Sequence, residues 1–223
     1  MEATPDVNAP ALEGFRGLFL AAHLSSQREV CAKQGWQTMA AKCATSLLRH
    51  VGSVPADKAF YQAGAAWRAV GRLNMAFVFL NRYLDITEAM EDPEGFTIEN
   101  SDFVNTDIPA EFDLPERHYL DEDKREEVRE WVLALSMDQD VEQSLSCRTC
   151  SQCGADTYEA NLVCHSCKVP SEACCITGYP IPSGERVACK ADPSVVARKD
   201  DWNTFIGRLQ MCPITHTVQS PVY

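Results

Sequence analysis

Cysteines are the residues of this chain best suited to chemistry, and four of them form two closely spaced pairs. The pairs are Cys150-x-x-Cys153 and Cys164-x-x-Cys167, with ten residues between them. Pairs of this kind form knuckle turns whose thiolates can complete a tetrahedral zinc site. Because protein fills all four positions, no position remains for a catalytic water, and we predict one structural zinc ion.

Two neighbouring side chains leave the ligand set open. Cys147 lies three residues before Cys150 and could replace it, and His165 lies inside the second pair. Gly154, directly after Cys153, favours the 150/153 pair, since a knuckle turn often needs a positive φ there. A redox-active or simply buried group of thiols is the alternative. A segment this short, however, buries too little apolar surface to stabilise itself without a cross-link.

Two further loops have the outline of a metal site but lack half of its ligands. Residues 174–177 read Cys-Cys-Ile-Thr and residues 212–215 read Cys-Pro-Ile-Thr, so threonine stands where each second cysteine would be. Threonine is not the soft ligand that zinc prefers, but its hydroxyl can hydrogen-bond to loop backbone. The remaining cysteines of this region are too few for two four-ligand sites: Cys174, Cys175, Cys189 and Cys212. We expect hydroxyl groups and packing to hold these loops, with one residual metal site as the alternative.

The order of elements between these two loops resembles a RING or U-box domain, and more closely the U-box kind. A short strand near Val187 and a helix start at 198–201 separate the loops. In that family the loops and the helix form a shallow groove for a ubiquitin-conjugating enzyme. The resemblance implies that Ile176, Trp202 and Pro213 bind a partner. The alternative is that both tetrapeptides are unrelated turns in a small α+β domain.

One position departs from the pattern of active ubiquitin ligases. Many of them carry Arg or Lys just beyond the last loop position, where it holds the ubiquitin thioester, and this chain has His216. A neutral imidazole is a weaker clamp than a guanidinium. No HExxH, G-x-S-x-G or phosphate-loop signature occurs in the sequence. We therefore assign no catalytic residue and favour an interaction module, with an active RING or U-box ubiquitin ligase as the alternative.

The first 90 residues have a helical pattern. Alanine-rich stretches near 11–24, 27–50, 56–69 and 72–89 carry large apolar residues at three- and four-residue intervals, with breaks predicted at Ser25-Ser26, 52–55 and Gly71. The last two stretches resemble a tetratricopeptide (TPR) hairpin, in which small residues let the helices approach and aromatics fill the groove. The matching positions are Phe60, Gly64, Trp67, Ala76 and Leu80. A plain four-helix cluster is the alternative.

Residues 91–120 differ in character from the helices before them. They hold nine acidic side chains and three prolines, yet large apolar residues recur from Phe96 to Leu114. We predict an extended strap packed along the helices, and a solvated linker is the alternative. A helix should begin at Asp121, with acids in its first turn and a core-facing stripe after them. The stripe consists of Val128, Trp131, Val132 and Leu135.

The predicted fold class is α-helical followed by a small α+β part, in four regions. These are TPR-like helical repeats at 1–90, an acidic strap and capping helix at 91–146, a zinc-knuckle segment at 147–171 and a U-box-like domain at 172–223. Nine of the eleven cysteines lie after residue 146, which supports a boundary there.

Charge and hydropathy exclude several classes of partner and location. The net charge of −12 disfavours nucleic acid and anionic membrane surfaces, so protein partners are expected. The first residues lack the pattern of a secretory signal, and no apolar run approaches 18 residues. We therefore expect reduced thiols in a cytoplasmic setting, with no membrane insertion.

The whole arrangement resembles the carboxy-terminal part of the largest subunit of the intraflagellar transport B complex. The most specific part is the string ITGYP at 176–180 followed by ARKDDWNTFI at 197–206. The resemblance implies a fragment of a ciliary transport scaffold, without its amino-terminal β-propellers, located in cilia or flagella and at their base. It implies other transport-complex subunits as partners, with ubiquitin or a ubiquitin-conjugating enzyme as further candidates. It supplies no metal ligands, so the zinc prediction depends on cysteine spacing alone.

Overall fold

A computed structural model describes residues 9–138 and 140–223; residues 1–8 of the predicted repeat region and Gln139 lie outside the described residues. The helices are α1 Ala9–Lys33, α2 Gln37–Leu47, α3 Ala56–Val70, α4 Leu73–Glu91, α5 Glu122–Ser136 and α6 Lys199–Leu209. Two antiparallel sheets pair β1 Cys147–Thr149 with β2 Asp156–Tyr158, and β3 Arg186–Ala188 with β4 Val196–Arg198. Within the described ranges, no helix is long and apolar enough to cross a bilayer.

The first helix is longer than predicted. α1 continues through Ser25-Ser26 to Lys33, and the chain then turns at Gly35, whose φ is +78°. The predicted break at Ser25-Ser26 is wrong, because a serine inside a helix costs only about 0.5 kcal/mol relative to alanine and packing against α2 outweighs it. The break at 52–55 is confirmed. The break at Gly71 is confirmed as well, with a left-handed φ of +82° that closes α3.

The largest core lies between α3 and α4, where a glycine allows the two helices to approach closely. A Cβ added at Gly64 would lie 2.5 Å from Leu80 Cγ, so a larger residue would push the helices apart. Trp67 is buried beside this contact, and its Nε1 donates a hydrogen bond of 2.7 Å to Thr45 Oγ1 on α2. The small and aromatic positions of the predicted hairpin therefore pack as expected.

Residues 91–120 pack along α3 and α4 as a strap. The ring of Phe103 meets that of Phe60 edge-on, with 5.6 Å between centroids. The buried Arg82 of α4 donates to the carbonyl of Glu99 at 2.6 Å. Both an aromatic contact and a backbone hydrogen bond therefore fix the strap, unlike a solvated linker.

The capping helix forms where the acidic first turn predicted it. Asp121 is the N-cap of α5, and its carboxylate accepts from the N–H of Lys124 at 3.0 Å. Val128 and Val132 are buried against the α3–α4 core. α5 thus closes the helical half and leads into the cysteine-rich half.

Candidate metal centre and terminal module

Four turns in the cysteine-rich half share one backbone geometry, and we number them as knuckle turns 1 to 4. They span 150–155, 164–169, 174–179 and 212–217. In each turn the N–H of the fifth residue donates to the carbonyl of the first cysteine, at 2.7–3.0 Å. The N–H of that cysteine donates to the carbonyl of the sixth residue, at 2.8–3.1 Å. The fifth residue always has a positive φ: Gly154 at +75°, Lys168 at +60°, Gly178 at +73° and His216 at +54°.

Turns 1 and 2 bring four thiols together at one point. The Sγ atoms of Cys150, Cys153, Cys164 and Cys167 all lie within 4.8 Å of one another. The Cys150–Cys167 and Cys153–Cys164 pairs are each 3.8 Å apart. A tetrahedral zinc ion with Zn–S bonds of about 2.3 Å requires sulfur–sulfur separations of about 3.8 Å. The four sulfurs therefore fit one ion of this size.

Backbone amides of the turns favour the thiolate form that a metal needs. The N–H groups of Gln152 and Cys153 lower the pKa of Cys150 to about 6. In the second turn, the N–H of Cys167 is the largest of the causes that lower the pKa of Cys164. A lower thiol pKa reduces the cost of releasing the proton when a metal binds.

The geometry also resolves which side chains belong to this group. Cys147 is exposed in β1, paired with Tyr158 of β2, and lies outside the four-sulfur cluster. His165, between the two cysteines of turn 2, is outside it as well. The four-sulfur cluster therefore contains Cys150 and not Cys147.

A reciprocal pair of hydrogen bonds joins the knuckle segment to the strap. Asn161, buried between turns 1 and 2, accepts from the N–H of Asp107 at 2.9 Å. The carboxylate of Asp107 in turn accepts from the N–H of Leu162 at 3.0 Å. Sequence analysis did not find this contact, because an asparagine and an aspartate 54 residues apart carry no local signal.

In turn 3 a buried carboxylate contacts the side chains at both the first and the fourth position of the turn. Thr177 Oγ1 donates to Asp201 Oδ2 at 3.2 Å, and Cys174 Sγ lies 3.8 Å from the same oxygen. Burial raises the pKa of Cys174, and the charge of Asp201 adds to this effect. The Lys42 ammonium of α2 lies 3.6 Å from Asp201 Oδ1 and supplies positive charge. The threonine thus bonds to a side chain of α6, not to loop backbone as predicted.

Turn 4 is held by a short chain of hydroxyl contacts. Cys189 Sγ lies 3.4 Å from Thr215 Oγ1, which lies 2.8 Å from Thr217 Oγ1. Gln219 Nε2 donates to Thr217 Oγ1 at 2.9 Å. Burial alone would raise the pKa of Cys189, but the Thr215 hydroxyl and nearby backbone N–H groups bring it to about 7. Hydroxyl groups therefore occupy the positions that second cysteines hold in turns 1 and 2.

The helical half holds turn 3 through four successive backbone carbonyls, and we call this contact the carbonyl clamp. The carbonyls of Cys175, Ile176, Thr177 and Gly178 accept respectively from His23 Nε2 at 2.6 Å, Cys43 Sγ at 3.2 Å, Ser46 Oγ at 2.8 Å and Arg49 Nη2 at 2.7 Å. A Cβ at Gly178 would lie 2.7 Å from Ser46 Oγ. The positive φ of turn 3 favours glycine at this position, and the close approach of α2 requires it.

The structure brings two of the three predicted partner-binding residues into a buried cluster on α6. Ile176 is 0% exposed and Trp202 1% exposed, whereas Pro213 is half-buried in turn 4. Ile176 belongs to the same buried cluster as Cys31 of α1 and Cys43 of α2. Trp202 Nε1 donates to the carbonyl of Ser220 in the terminal tail at 3.4 Å. The three residues do not form an open groove in this arrangement. Their role in partner binding stays a prediction.

Comparison with known proteins identifies the chain's relatives. No protein-family model matches it. It is 46% identical over 215 residues, 95% of its length, to intraflagellar transport protein 172 of Chlamydomonas reinhardtii. The chain is homologous to the carboxy-terminal region of that protein. The Homo sapiens homolog of intraflagellar transport protein 172 is 46% identical over 90% of this chain, and osm-1 of Caenorhabditis elegans is 36% identical over 87%.

The relatives are much longer than this chain. The aligned part spans 11–12% of the length of each of these three relatives. These homologues are proteins of cilia and flagella. The resemblance to the carboxy-terminal part of the transport-complex subunit is thereby confirmed. The TPR-like and U-box-like resemblances stay predictions.

Proposed function

We propose that this chain is the carboxy-terminal interaction segment of an intraflagellar transport scaffold needed for cilium or flagellum assembly. The observation that carries the proposal is the homology to intraflagellar transport protein 172 along nearly the whole chain. The scaffold acts in the cilium or flagellum and at its base, and its partners are other subunits of the transport complex. The packing of strap, knuckle segment and terminal module onto the helices supports a rigid binding platform.

One structural zinc ion is part of this proposal. Cys150, Cys153, Cys164 and Cys167 would hold it, and the 3.8 Å sulfur–sulfur distances support that assignment. With four protein ligands the ion would supply a cross-link and no reactive position. Such a site contributes on the order of 10 kcal/mol of apparent folding free energy.

The proposed domains are TPR-like helices at 1–90, the strap and capping helix at 91–146, the zinc-knuckle segment at 147–171 and a U-box-like module at 172–223. Two observations support the last assignment. Turn 3 contacts α6 through Asp201, and Cys212 of turn 4 belongs to the same buried cluster as Phe205 of α6. Two loops that flank one helix and carry threonine at the second-ligand positions are the features of the U-box resemblance.

An active RING or U-box-type ubiquitin ligase is the second candidate. The two loops packed on α6 favour it, and it would bind ubiquitin or a ubiquitin-conjugating enzyme through Ile176, Trp202 and Pro213. The burial of Ile176 favours the scaffold instead, because this side chain is 0% exposed and lies in one buried cluster with Met39 and Cys43 of α2. We propose that the module serves as an interaction surface and has no ligase activity of its own.

Two experiments test these proposals. In flagellated cells that depend on the full-length protein, deletion of this segment should shorten flagella and weaken its co-purification with transport subunits. Normal flagella and normal co-purification would contradict the scaffold role. A self-ubiquitination assay should show no transfer by the wild-type chain. Transfer that is lost in Pro213→Ala and kept in the control Pro182→Ala would establish the ligase instead.

A further inference from the structure

We infer that a groove between α1 and the terminal module binds an acidic, apolar peptide segment of a partner protein. The groove has a volume of about 430 Å³ and runs between α1, turn 3, β4 and turn 4. It differs from the predicted Ile176–Trp202–Pro213 surface, none of whose residues lines it. The inference rests on the proposed scaffold role only in taking this chain to be a protein-binding segment, and it needs no ubiquitin-conjugating enzyme.

The groove is mainly apolar. α1 contributes Leu20 and Leu24, and turn 4 contributes Ile214. Val196, the first residue of β4, and Val195 just before it complete the apolar lining. Leu24 and Val196 are buried, while the other three are half-buried and remain accessible at the groove surface. An apolar cleft of this size accepts one or two large side chains of a peptide.

The positive charge of the groove comes from two arginines. Arg16 and Arg49 line it together with His23 and His50, whose pKa values are lowered by burial, and with Cys174 and Cys175, whose thiol pKa values are raised by burial. None of the described residues that line the groove is an Asp or a Glu. This is unusual in a chain whose net charge is −12. Arg49 is fixed by donating to the carbonyls of Ala160 and Gly178, and it lies 3.6 Å from Asp107, which is outside the groove. The charge of the groove therefore complements a peptide that carries carboxylates.

Apolar surface continues from the groove along the exposed face of α1. Phe19, 57% exposed, stacks on His23 of the groove with 6.2 Å between ring centroids. Leu12 and Phe15 are also exposed. Phe15 follows Leu12 by three residues and precedes Phe19 by four, so the three side chains lie on the same side of the helix. A contiguous exposed apolar patch on a folded protein marks an interaction site. The patch and the groove together suit a segment with several large apolar side chains.

Fluorescence anisotropy with three labelled synthetic peptides tests this inference. Each peptide has about twelve residues, a length suited to a groove of this type. The first alternates leucine and phenylalanine with aspartate; the second has lysine in place of aspartate; the third has serine in place of leucine and phenylalanine. We expect the first to bind about tenfold more tightly than either of the others, because apolar burial and charge both contribute.

Variants of the chain assign the binding to the groove. Arg16→Glu and Leu20→Ser should each weaken binding of the first peptide about tenfold, as loss of a contact within an interface does. The matched controls Lys33→Glu, at the far end of α1, and Leu133→Ser, on exposed α5, should leave it unchanged.

Three results would overturn the inference. They are no binding of the first peptide, equal or tighter binding of the lysine peptide, and equal loss in the control variants. None of them touches the scaffold proposal, because co-purification of the full-length protein with transport subunits reports on that role separately.

Discussion

The same backbone turn is supported in two different ways in the two parts of the cysteine-rich half. Turns 1 and 2 place a cysteine at both the first and the fourth position, and four sulfurs meet. Turns 3 and 4 keep the first cysteine and the backbone hydrogen bonds but have threonine at the fourth position. The backbone turn is therefore the same with cysteine or threonine at its fourth position. We propose that the side chain at this position decides whether a metal or a hydrogen bond supports the turn.

The amount of core available to each part explains this difference. The knuckle segment at 147–171 is short and its turns are largely exposed, so it has few apolar contacts to hold it. Turns 3 and 4 rest on a buried cluster that includes Trp202, Phe205 and Ile206 of α6, and α1 and α2 extend this cluster. We propose that hydroxyl and carboxylate contacts are sufficient where a core is present, and that a metal cross-link replaces the core where it is missing.

The largest difference is expected between removing a sulfur of the four-sulfur cluster and removing the cysteine sulfur of turn 3. Cys164→Ser should abolish metal binding and unfold the knuckle segment locally, since a structural zinc contributes on the order of 10 kcal/mol. Cys174→Ser in turn 3 is the matched control and should leave the metal content unchanged. Native mass spectrometry gives the metal content, and hydrogen exchange of 147–171 reports the local unfolding.

If metal content falls equally in both variants, turn 3 also supplies a metal ligand, and the proposed difference between turns 1 and 2 and turns 3 and 4 is wrong. Retention of metal by Cys164→Ser would show that the four-sulfur cluster is not the site.

The lysine beside turn 3 should come next in effect. Lys42→Met removes the cation that lies 3.6 Å from the buried Asp201 carboxylate, and we expect a loss of about 3 kcal/mol in the free energy of unfolding. Lys33→Met, the same change at an exposed end of α1, should have little effect. Urea unfolding of the metal-loaded chain measures both.

A double variant separates the charge effect from packing. Asp201→Asn added to Lys42→Met should recover part of the loss, because no unpaired charge is left buried. A loss that the second substitution does not change would contradict a role for Lys42 as the counter-charge of turn 3.

Two glycines at the same position of two turns allow a matched test of the carbonyl clamp. A Cβ at Gly154 would meet no other atom, so Gly154→Ala should lower the free energy of unfolding by about 1 kcal/mol, from the φ of +75° alone. Gly178→Ala has a similar φ, and its Cβ would also meet Ser46, so it should cost about 2 kcal/mol more. Thermal or urea unfolding of the two variants gives the difference. Equal costs would mean that α2 does not press on turn 3.

The smallest expected effect tests the hydroxyl support itself. Thr177→Val keeps the shape of the side chain but removes the donor to Asp201, and it should cost about 1.5 kcal/mol. Metal content should not change. A Thr177→Ser control keeps the hydroxyl and should lose less stability, and a valine variant as stable as wild type would show that packing alone holds turn 3.

The local part of this arrangement could be predicted from the sequence. Cysteine spacing identified the four sulfurs, and threonine in two of the loops predicted support by hydroxyl groups. The strand at Val187 and the helix carrying Trp202 also form where the pattern placed them. Each of these features depends on residues that are close in the chain or on a spacing that recurs.

The long-range part could not be predicted. The carbonyl clamp joins residues at least 129 positions apart, and its donors include Cys43 and Ser46, which look like ordinary small helix residues. Asp201 gave no signal either, since an acid in the first turn of a helix usually only favours the helix dipole. These long-range contacts bury Ile176. Because the sequence gives no sign of them, sequence analysis predicted an open groove at Ile176.

Metal stoichiometry of the wild-type chain tests the central claim most directly. Native mass spectrometry of protein prepared with zinc present should give one ion per chain, held with the same stoichiometry when Cys174 and Cys212 are both changed to serine. Two or three ions per chain would show that turns 3 and 4 also bind metal. A chain that folds fully without any ion would show that turns 1 and 2 need no cross-link, and either result would contradict the account.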